Sequence, residues 1–393
     1  MAEVCHISTM MNWGGVERLL IDYYTYPQEK SFSPSLVTTS SILEIRELLD
    51  RAGIRTFQPK RSFRYDPSAV LQVAQWLRNE KVRLLHSHNS FSNVWGLLTA
   101  NLANIEYKIA GEHGTVWWVK PPLSWFDNIA YRKANLVIAN SNASSLMLKL
   151  RYGITPNKIK VIYNGVPKLP EVERDQIREQ LGVGSKILIG SVGRLDTPKD
   201  YHTFIEAASI MKKYKQAIFM IVGGGAMEDE LKDHIAELNL GGKFIITGWR
   251  DDARRLIQAF DIFVSTSIHE SFGNSIVEAS LAGIPIVAPR VDGIPEIVTH
   301  EITGYLLQPQ NPLRKPRSPS ATQVSEFVII DNELRPPRSV SPKNLSETLM
   351  YLIENPDVRF RFGEAAKKRT EKLFTIDRYI ENVELNYRKL LGE

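Results

Sequence analysis

Asp261-Ile-Phe-Val-Ser-Thr-Ser-Ile-His-Glu-Ser-Phe-Gly-Asn-Ser-Ile-Val-Glu-Ala-Ser-Leu-Ala-Gly-Ile-Pro285 reads as one strand, one loop and one helix. The apolar run Asp261–Ser267 has the composition of a buried strand, and Ser275–Ala282 that of a helix stopped by Gly283 and Pro285. Between them stand two carboxylates, Glu270 and Glu278, on either side of Gly273. A helix start exposes free N–H groups and favours an anion, here beside Gly273 and Asn274. A carboxylate accepts hydrogen bonds from neighbouring hydroxyls, which sugars and riboses carry in number. The stretch therefore suits a sugar nucleotide, with its phosphates at the helix start.

The same strand-then-helix rhythm extends in both directions. Upstream, strand-like runs at Val4–Thr9, Leu36–Thr39, Leu84–His88, Lys108–Gly111, Leu136–Asn140 and Lys160–Ile162 alternate with amphipathic stretches such as Val16–Tyr24 and Pro67–Asn79. A break at Pro167-Lys-Leu-Pro170 and a charged helix, Glu173–Leu181, precede a restart at Lys186–Val192. Such alternation predicts parallel sheets covered by helices on both faces. Ligands in such sheets bind beyond the carboxyl ends of the strands, so two of them place a site in a cleft.

The rhythm fails over residues 309–342, which hold seven of the twenty-one prolines together with Arg314, Lys315, Arg317, Arg335 and Arg338. Proline at this density prevents a helix. The segment reads as an inserted loop, with Phe327-Val-Ile-Ile330 as a short strand inside it. Helices resume afterwards, the last from Arg378 to Leu391.

With 393 residues the chain accommodates two domains with full cores. A single cysteine, Cys5, excludes an internal disulfide framework and favours a reducing cytoplasm. The start lacks the pattern of a secretory signal. No apolar run approaches the ~18 residues of a spanning helix. A formal charge of +5 is too small to imply nucleic acid, but suits an anionic donor or lipid.

Three other strand-to-helix turns carry chemistry. Gly193-Arg194 and Lys199 present a guanidinium and an ammonium from one loop, enough to neutralise a diphosphate. Gly223-Gly-Gly225 allows close backbone approach to a ligand, yet fails the dinucleotide fingerprint because Glu228 stands where its third glycine belongs. Asn12-Trp-Gly14-Gly15-Val-Glu17 opens the first helix with bare N–H groups for an anion. His86 and His88 share a strand face, but no third metal ligand is visible beside them and no metal site is expected. Trp117, Trp118, Trp125 and Phe126, interleaved with Lys120, Arg132 and Lys133, fit either a membrane-facing patch or a helix packed by its aromatic face.

Taken together, Glu270-x7-Glu278, Gly193-Arg194…Lys199, Gly14-Gly15-Val-Glu17, Tyr163-Asn164-Gly165-Val166, Gly293-Ile-Pro-Glu296 and Gly304-Tyr305 resemble the retaining glycosyltransferases of family 4. The resemblance spans roughly residues 4–308 and resumes in the final helices. It implies the GT-B architecture, two Rossmann-like α/β domains facing each other across a cleft. Residues 1–168 would form the acceptor-binding domain, with helix 376–393 packed back on it. Residues 169–375 would form the nucleotide-sugar domain, interrupted by the 309–342 insertion.

By the same resemblance Glu270 contacts the transferred sugar, Glu278 the ribose, and Arg194 with Lys199 the diphosphate. Gly14, Gly15, Gly193 and the segment Phe272, Gly273, Asn274 and Ser275 complete the donor site. Trp249 and Arg250 adjoin the base. His113 matches a histidine beside the reacting sugar. The chain holds no Asp-x-Asp, in keeping with a site that needs no metal and no cofactor.

The implied reaction is retaining transfer from a nucleoside diphosphate sugar to a hydroxyl of a saccharide or lipid-linked acceptor. Its setting would be envelope polysaccharide or glycolipid synthesis, in the cytoplasm with peripheral contact at the inner membrane face. A soluble small-metabolite acceptor, a non-catalytic nucleotide-sugar-binding protein and a dehydrogenase are the alternatives. The resemblance departs at Asp200, where relatives frequently have glycine, and at the insertion, which has no counterpart.

Overall fold

The computed structural model describes residues 3–10, 13–28, 30–63, 66–114, 123–314 and 324–393. The chain forms two compact units, Met1–Pro167 with Phe374–Glu393, and Lys168–Leu373. Each is built on one parallel sheet.

The first sheet comprises β1 (Val4–Met10), β2 (Ser35–Ser41), β3 (Thr56–Phe57), β4 (Leu84–His88), β5 (Tyr107–Glu112), β6 (Leu136–Ala139) and β7 (Ile159–Val161). Their order is β3-β2-β1-β4-β5-β6-β7. The order reverses between β1 and β4, the place where open α/β sheets hold ligands. β3 has two residues, too few to show a period, and was not anticipated. β1 and β4 pair with His6 opposite His86, a register no local pattern displays.

The terminal helix Ile376–Leu391 belongs to this unit. Its Ile376, Tyr379, Ile380, Val383 and Tyr387 pack with Val4, Leu84, Ile109, Ile138 and Ile162 in one buried cluster. Burying one such side chain fully contributes about 1.5–3 kcal/mol. Gly165 permits the approach, since a Cβ there would lie 2.5 Å from the Ile376 Cα. Val166 N–H donates to the Phe374 carbonyl at 2.9 Å and Ile376 N–H to the Val166 carbonyl at 3.1 Å.

The second sheet comprises β8 (Ile187–Val192), β9 (Ala217–Val222), β10 (Phe244–Ile246), β11 (Ile262–Val264), β12 (Ile286–Pro289) and β13 (Gly304–Leu307), in the order β10-β9-β8-β11-β12-β13. Asp261 locks its centre. Its carboxylate accepts from Leu188 N–H at 2.7 Å and from the guanidinia of Arg174 and Arg178 at 2.6 and 3.0 Å. Helix Arg174–Gln180 is thereby clipped to the sheet.

The described residues of the insertion form two short antiparallel pairs. β14 (Pro309–Asn311) pairs antiparallel with β17 (Ser339–Val340), and β15 (Val328–Ile330) with β16 (Glu333–Arg335). The expected strand at Phe327–Ile330 is present as β15. Lys315, Pro316, Arg317 and Pro319 lie outside the described residues.

Candidate functional site

In the second unit the β8 loop and the β11 loop are sewn together. Thr266 Oγ1 donates to the Lys199 carbonyl at 2.8 Å, and Ile268 N–H to the Pro198 carbonyl at 2.8 Å. This brings Lys199 Nζ into an ion pair with Glu270 Oε2, with both side chains about four-fifths buried. Arg194 reaches outward from the same loop, 62% exposed, and pairs with Asp196 at 3.0 Å. Burial raises the Asp196 carboxyl, with Arg194 and Lys199 pulling it the other way. The two cations expected at a diphosphate therefore share one loop, each resting on a carboxylate.

Gly193 stands at the turn because a Cβ there would lie 2.8 Å from the Tyr201 hydroxyl. Gly223-Gly-Gly225 serves this loop as well. A Cβ on Gly223 would lie 1.9 Å from the Gly193 carbonyl oxygen, and one on Gly225 2.5 Å from that of Leu195. The three glycines admit the protein's own chain at the positions where the sequence suggested a ligand.

Helix Asn274–Leu281 begins at Gly273, whose φ of 113° suits glycine. Phe272 is buried behind it, and Asn274 and Ser275 form its first turn. Glu278 is buried and accepts from Arg254 Nε at 2.7 Å. Through Arg254 this carboxylate is tied to the segment that carries Trp249 and Arg250. Trp249 is exposed, and its backbone N lies 3.1 Å from where a Gly224 Cβ would stand. Arg250 meets Asp252 with both Nε and Nη2, at 2.8 and 2.9 Å, so its guanidinium is engaged within its own loop.

The second unit thus gathers Gly193, Arg194, Lys199, Glu270, Phe272, Gly273, Asn274, Ser275 and Glu278, while Trp249 and Arg250 join through Arg254. Gly14, Gly15 and His113 belong to the first unit. Gly14 precedes helix Gly15–Thr25, and a Cβ on it would lie 2.6 Å from Glu17 Oε2. The turn expected to offer bare N–H groups is overlain by this chain's own carboxylate. Asn12 lies outside the described residues.

His113 follows β5, with Nε2 at 3.1 Å from His88 Nδ1. Burial lowers its pKa to about 4, partly opposed by a hydrogen bond with the Asn164 side chain. A third histidine corrects the sequence reading of His86 and His88. His6, from β1, has a ligand atom within 4.8 Å of theirs, and all three rings are buried. Tyr387 Oη already bonds two of them, at 2.8 Å to His6 Nε2 and 2.7 Å to His86 Nδ1. The cluster therefore fastens the terminal helix to the sheet.

Beside it, at the carboxyl ends of β1 and β4, opens a cavity of about 620 Å³ lined by Ser8, Thr9, Glu17, Arg61, His88 and Phe91, among others. No local pattern announces it, because its walls come from three separated segments, residues 8–17, 61–63 and 88–92. Arg254 and Asp196 were also missed, as was Asp292, whose carboxylate accepts from Glu270 N–H at 3.0 Å, since nothing local distinguishes them from surface charges. Of the aromatic patch, Trp125 and Phe126 are exposed on helix Leu123–Lys133, which corrects the reading of a helix packed by that face. Trp117, Trp118 and Lys120 lie outside the described residues.

Residues 13–168 match the family Glycosyltransferase Family 4, and residues 173–314 match Glycosyl transferases group 1. The chain is 25% identical over 327 residues to UDP-Gal:alpha-D-GlcNAc-diphosphoundecaprenol alpha-1,3-galactosyltransferase of Escherichia coli, covering 78% of this chain and 84% of that protein. It is 26% identical to N-acetyl-alpha-D-glucosaminyl L-malate synthase of Bacillus anthracis, over 62% and 66% of the two chains. The crystal structure of Anabaena HepE in complex with UDP superposes with a TM-score of 0.81 at 22% identity, over 98% of this chain and 100% of that one. At that identity the likeness establishes the fold, which is GT-B. With both of its units matched, this chain belongs to the family 4, group 1 glycosyltransferases.

Proposed function

We propose that the protein is a retaining, metal-independent glycosyltransferase that moves a sugar from a nucleoside diphosphate sugar to a hydroxyl of a saccharide or lipid-linked acceptor. The observation that carries this reading is the Lys199–Glu270 pair with Arg194 presented from the same loop. Lys199 and Arg194 would take the two phosphates of the donor, exchanging their present carboxylate partners for stronger anions. Charge develops on the departing diphosphate as the sugar–phosphate bond breaks, and preorganised cations stabilise it. Freed from Lys199, Glu270 would accept hydrogen bonds from the sugar hydroxyls. Glu278, oriented by Arg254, would hold the ribose, with Trp249 beside the base.

In the retaining step the acceptor oxygen bonds to the anomeric carbon on the face the phosphate leaves. The acceptor proton passes to the departing phosphate oxygen. Products are the glycoside and a nucleoside diphosphate, and no metal enters the balance. The first unit would bind the acceptor, and its 620 Å³ cavity, with Arg61 among hydroxyl side chains, suits a polar or anionic saccharide.

A lipid-linked acceptor is favoured by exposed Trp125, Phe126 and Ile129 beside the basic end of helix Leu123–Lys133, a composition suited to an anionic bilayer surface. Among the described residues no helix is long and apolar enough to cross a membrane. The proposed setting is the cytoplasmic membrane face, in polysaccharide or glycolipid synthesis. The relatives' names support both kinds of acceptor, one carried on diphosphoundecaprenol and one being L-malate.

Incubation with a panel of nucleoside diphosphate sugars and both acceptor classes, read by mass spectrometry, tests the proposal. Transfer to the lipid-linked class with retained anomeric configuration, undiminished by chelator, is the expected result. Transfer to soluble metabolites alone would move the acceptor to the second class, and no donor binding across the panel would sink the reading.

A further inference from the structure

The insertion is bound to the two loops that carry Lys199 and Glu270, and an aspartate makes each attachment. Asp292 is buried between β12 and helix Ile294–Ile297. Its Oδ2 accepts from Glu270 N–H at 3.0 Å and its Oδ1 from Ile329 N–H at 2.8 Å. Its own N–H donates to the Ile329 carbonyl at 2.7 Å. One carboxylate thus joins the backbone of Glu270 to strand β15 of the insertion. Close by, Arg290 pairs with Asp331 at 2.7 Å.

Asp200 makes the other attachment. It follows Lys199 directly, is buried, and accepts from the Thr203 hydroxyl at 2.7 Å. The Ser339 side chain, on β17, also hydrogen-bonds to it, and Arg314 adds an opposite charge. Arg314 is further held in an ion pair with Glu206. Burial raises the Asp200 carboxyl to about 6, against those hydrogen bonds.

Both aspartates adopt left-handed backbone, with φ of 47° at Asp200 and 45° at Asp292. Glycine occupies that region without penalty. An aspartate there is strained, and its buried carboxylate must be satisfied. What the two acids gain over glycine is their bonds to the insertion and to the catalytic loops.

We propose that Asp200 and Asp292 are positioning residues through which the 309–342 insertion sets the placement of Lys199 and Glu270. The inference rests on reading that pair as the donor site. Donor affinity in this protein then depends on a segment outside the two loops that carry Lys199 and Glu270.

The geometry supplies the test. Asn311 lies opposite Ser339 in the β14–β17 pair, so an Asn-Gly hairpin turn can replace residues 312–338 and leave that pair intact. The shortened chain loses Ile329, the partner of Asp292, and Arg314, the charge beside Asp200; Asp292→Gly severs the Ile329 linkage alone, without backbone strain. Each variant should raise the donor KM about tenfold with less change in kcat. Combined, their effects should fall short of the product of the two, because they sever a shared linkage. Donor KM within twofold of wild type in both variants, or effects that multiply, would overturn the proposal.

Amide exchange over residues 268–275 gives a readout free of the donor. It should quicken at least tenfold in the shortened chain, and unchanged exchange also overturns the proposal. If wild type binds no donor yet exchange quickens, the linkage stands and the donor reading falls. Should the shortened chain fail to fold, Asp292→Gly carries the test through its KM, and a wild-type value counts against the proposal.

Discussion

Lys199 and Glu270 hold each other in place where a diphosphate sugar would separate them. On the proposed reading, replacing either one would remove a donor contact, and it leaves the other charge largely buried without its partner, which is costly. Lys199→Met is expected to lower kcat/KM at least 100-fold, about 2.7 kcal/mol of transition-state stabilisation, with donor binding weakened in the same variant. Activity within tenfold of wild type would remove Lys199 from the site. Tyr387 makes a contrasting prediction. Its hydroxyl bridges His6 and His86 far from the donor loops in sequence, so Tyr387→Phe should destabilise the first unit by about 1–3 kcal/mol and leave donor KM unchanged. Chemical denaturation with parallel kinetics checks both halves.

Among elements, the strand–loop–helix Asp261–Leu281 was readable because every step of it is local: an apolar run, a glycine at the turn, an amphipathic run, a stop. The bonds that hold its Glu270 in place are not local. Glu270 N–H finds its acceptor 22 residues away at Asp292, and Asp292 reaches a further 37 to Ile329, separations invisible to periodicity. The same limit hid His6 from His86, since the two meet only through the β1–β4 register. Gly165 shows the reverse case, in which a motif taken on resemblance acquires a cause. Gly165→Ala must push the Ile376 backbone away, a clash no side-chain rotation relieves. We expect loss of several kcal/mol of stability and faster proteolytic release of the terminal helix. An unchanged melting temperature would refute the close approach.

For the molecule as a whole, buried titratable groups set opposing responses to pH. Burial lowers His6 to about 3 and His113 to about 4, and takes His86 and His88 well below their usual value. In the unfolded chain these groups titrate near 6.5. Their contribution is therefore full above about pH 6.5 and is lost as pH falls through the folded values, because the unfolded state binds more protons. Glu112, raised to about 7 by burial, and Asp200, raised to about 6, act oppositely. Their contribution is full below the unfolded carboxylate pKa near 4 and is lost as pH rises through the folded values. With four histidines against one glutamate in the first unit, its melting temperature should fall between pH 6.5 and 4.5, and His6→Asn should flatten that slope.

The alternating pattern disclosed two parallel sheets because it repeats on both sides of the break at Pro167–Pro170. The cavity of the first unit stayed hidden because residues from three separated segments must converge to form it. The most direct measurement of the central claim is calorimetric titration of wild type and Lys199→Met with a panel of nucleoside diphosphate sugars in the presence of chelator. We expect at least one donor to bind wild type and to bind the variant at least tenfold more weakly. Equal affinity for the two proteins, or no binding to wild type by any donor, would contradict the assignment of the Lys199–Glu270 loops as the donor site.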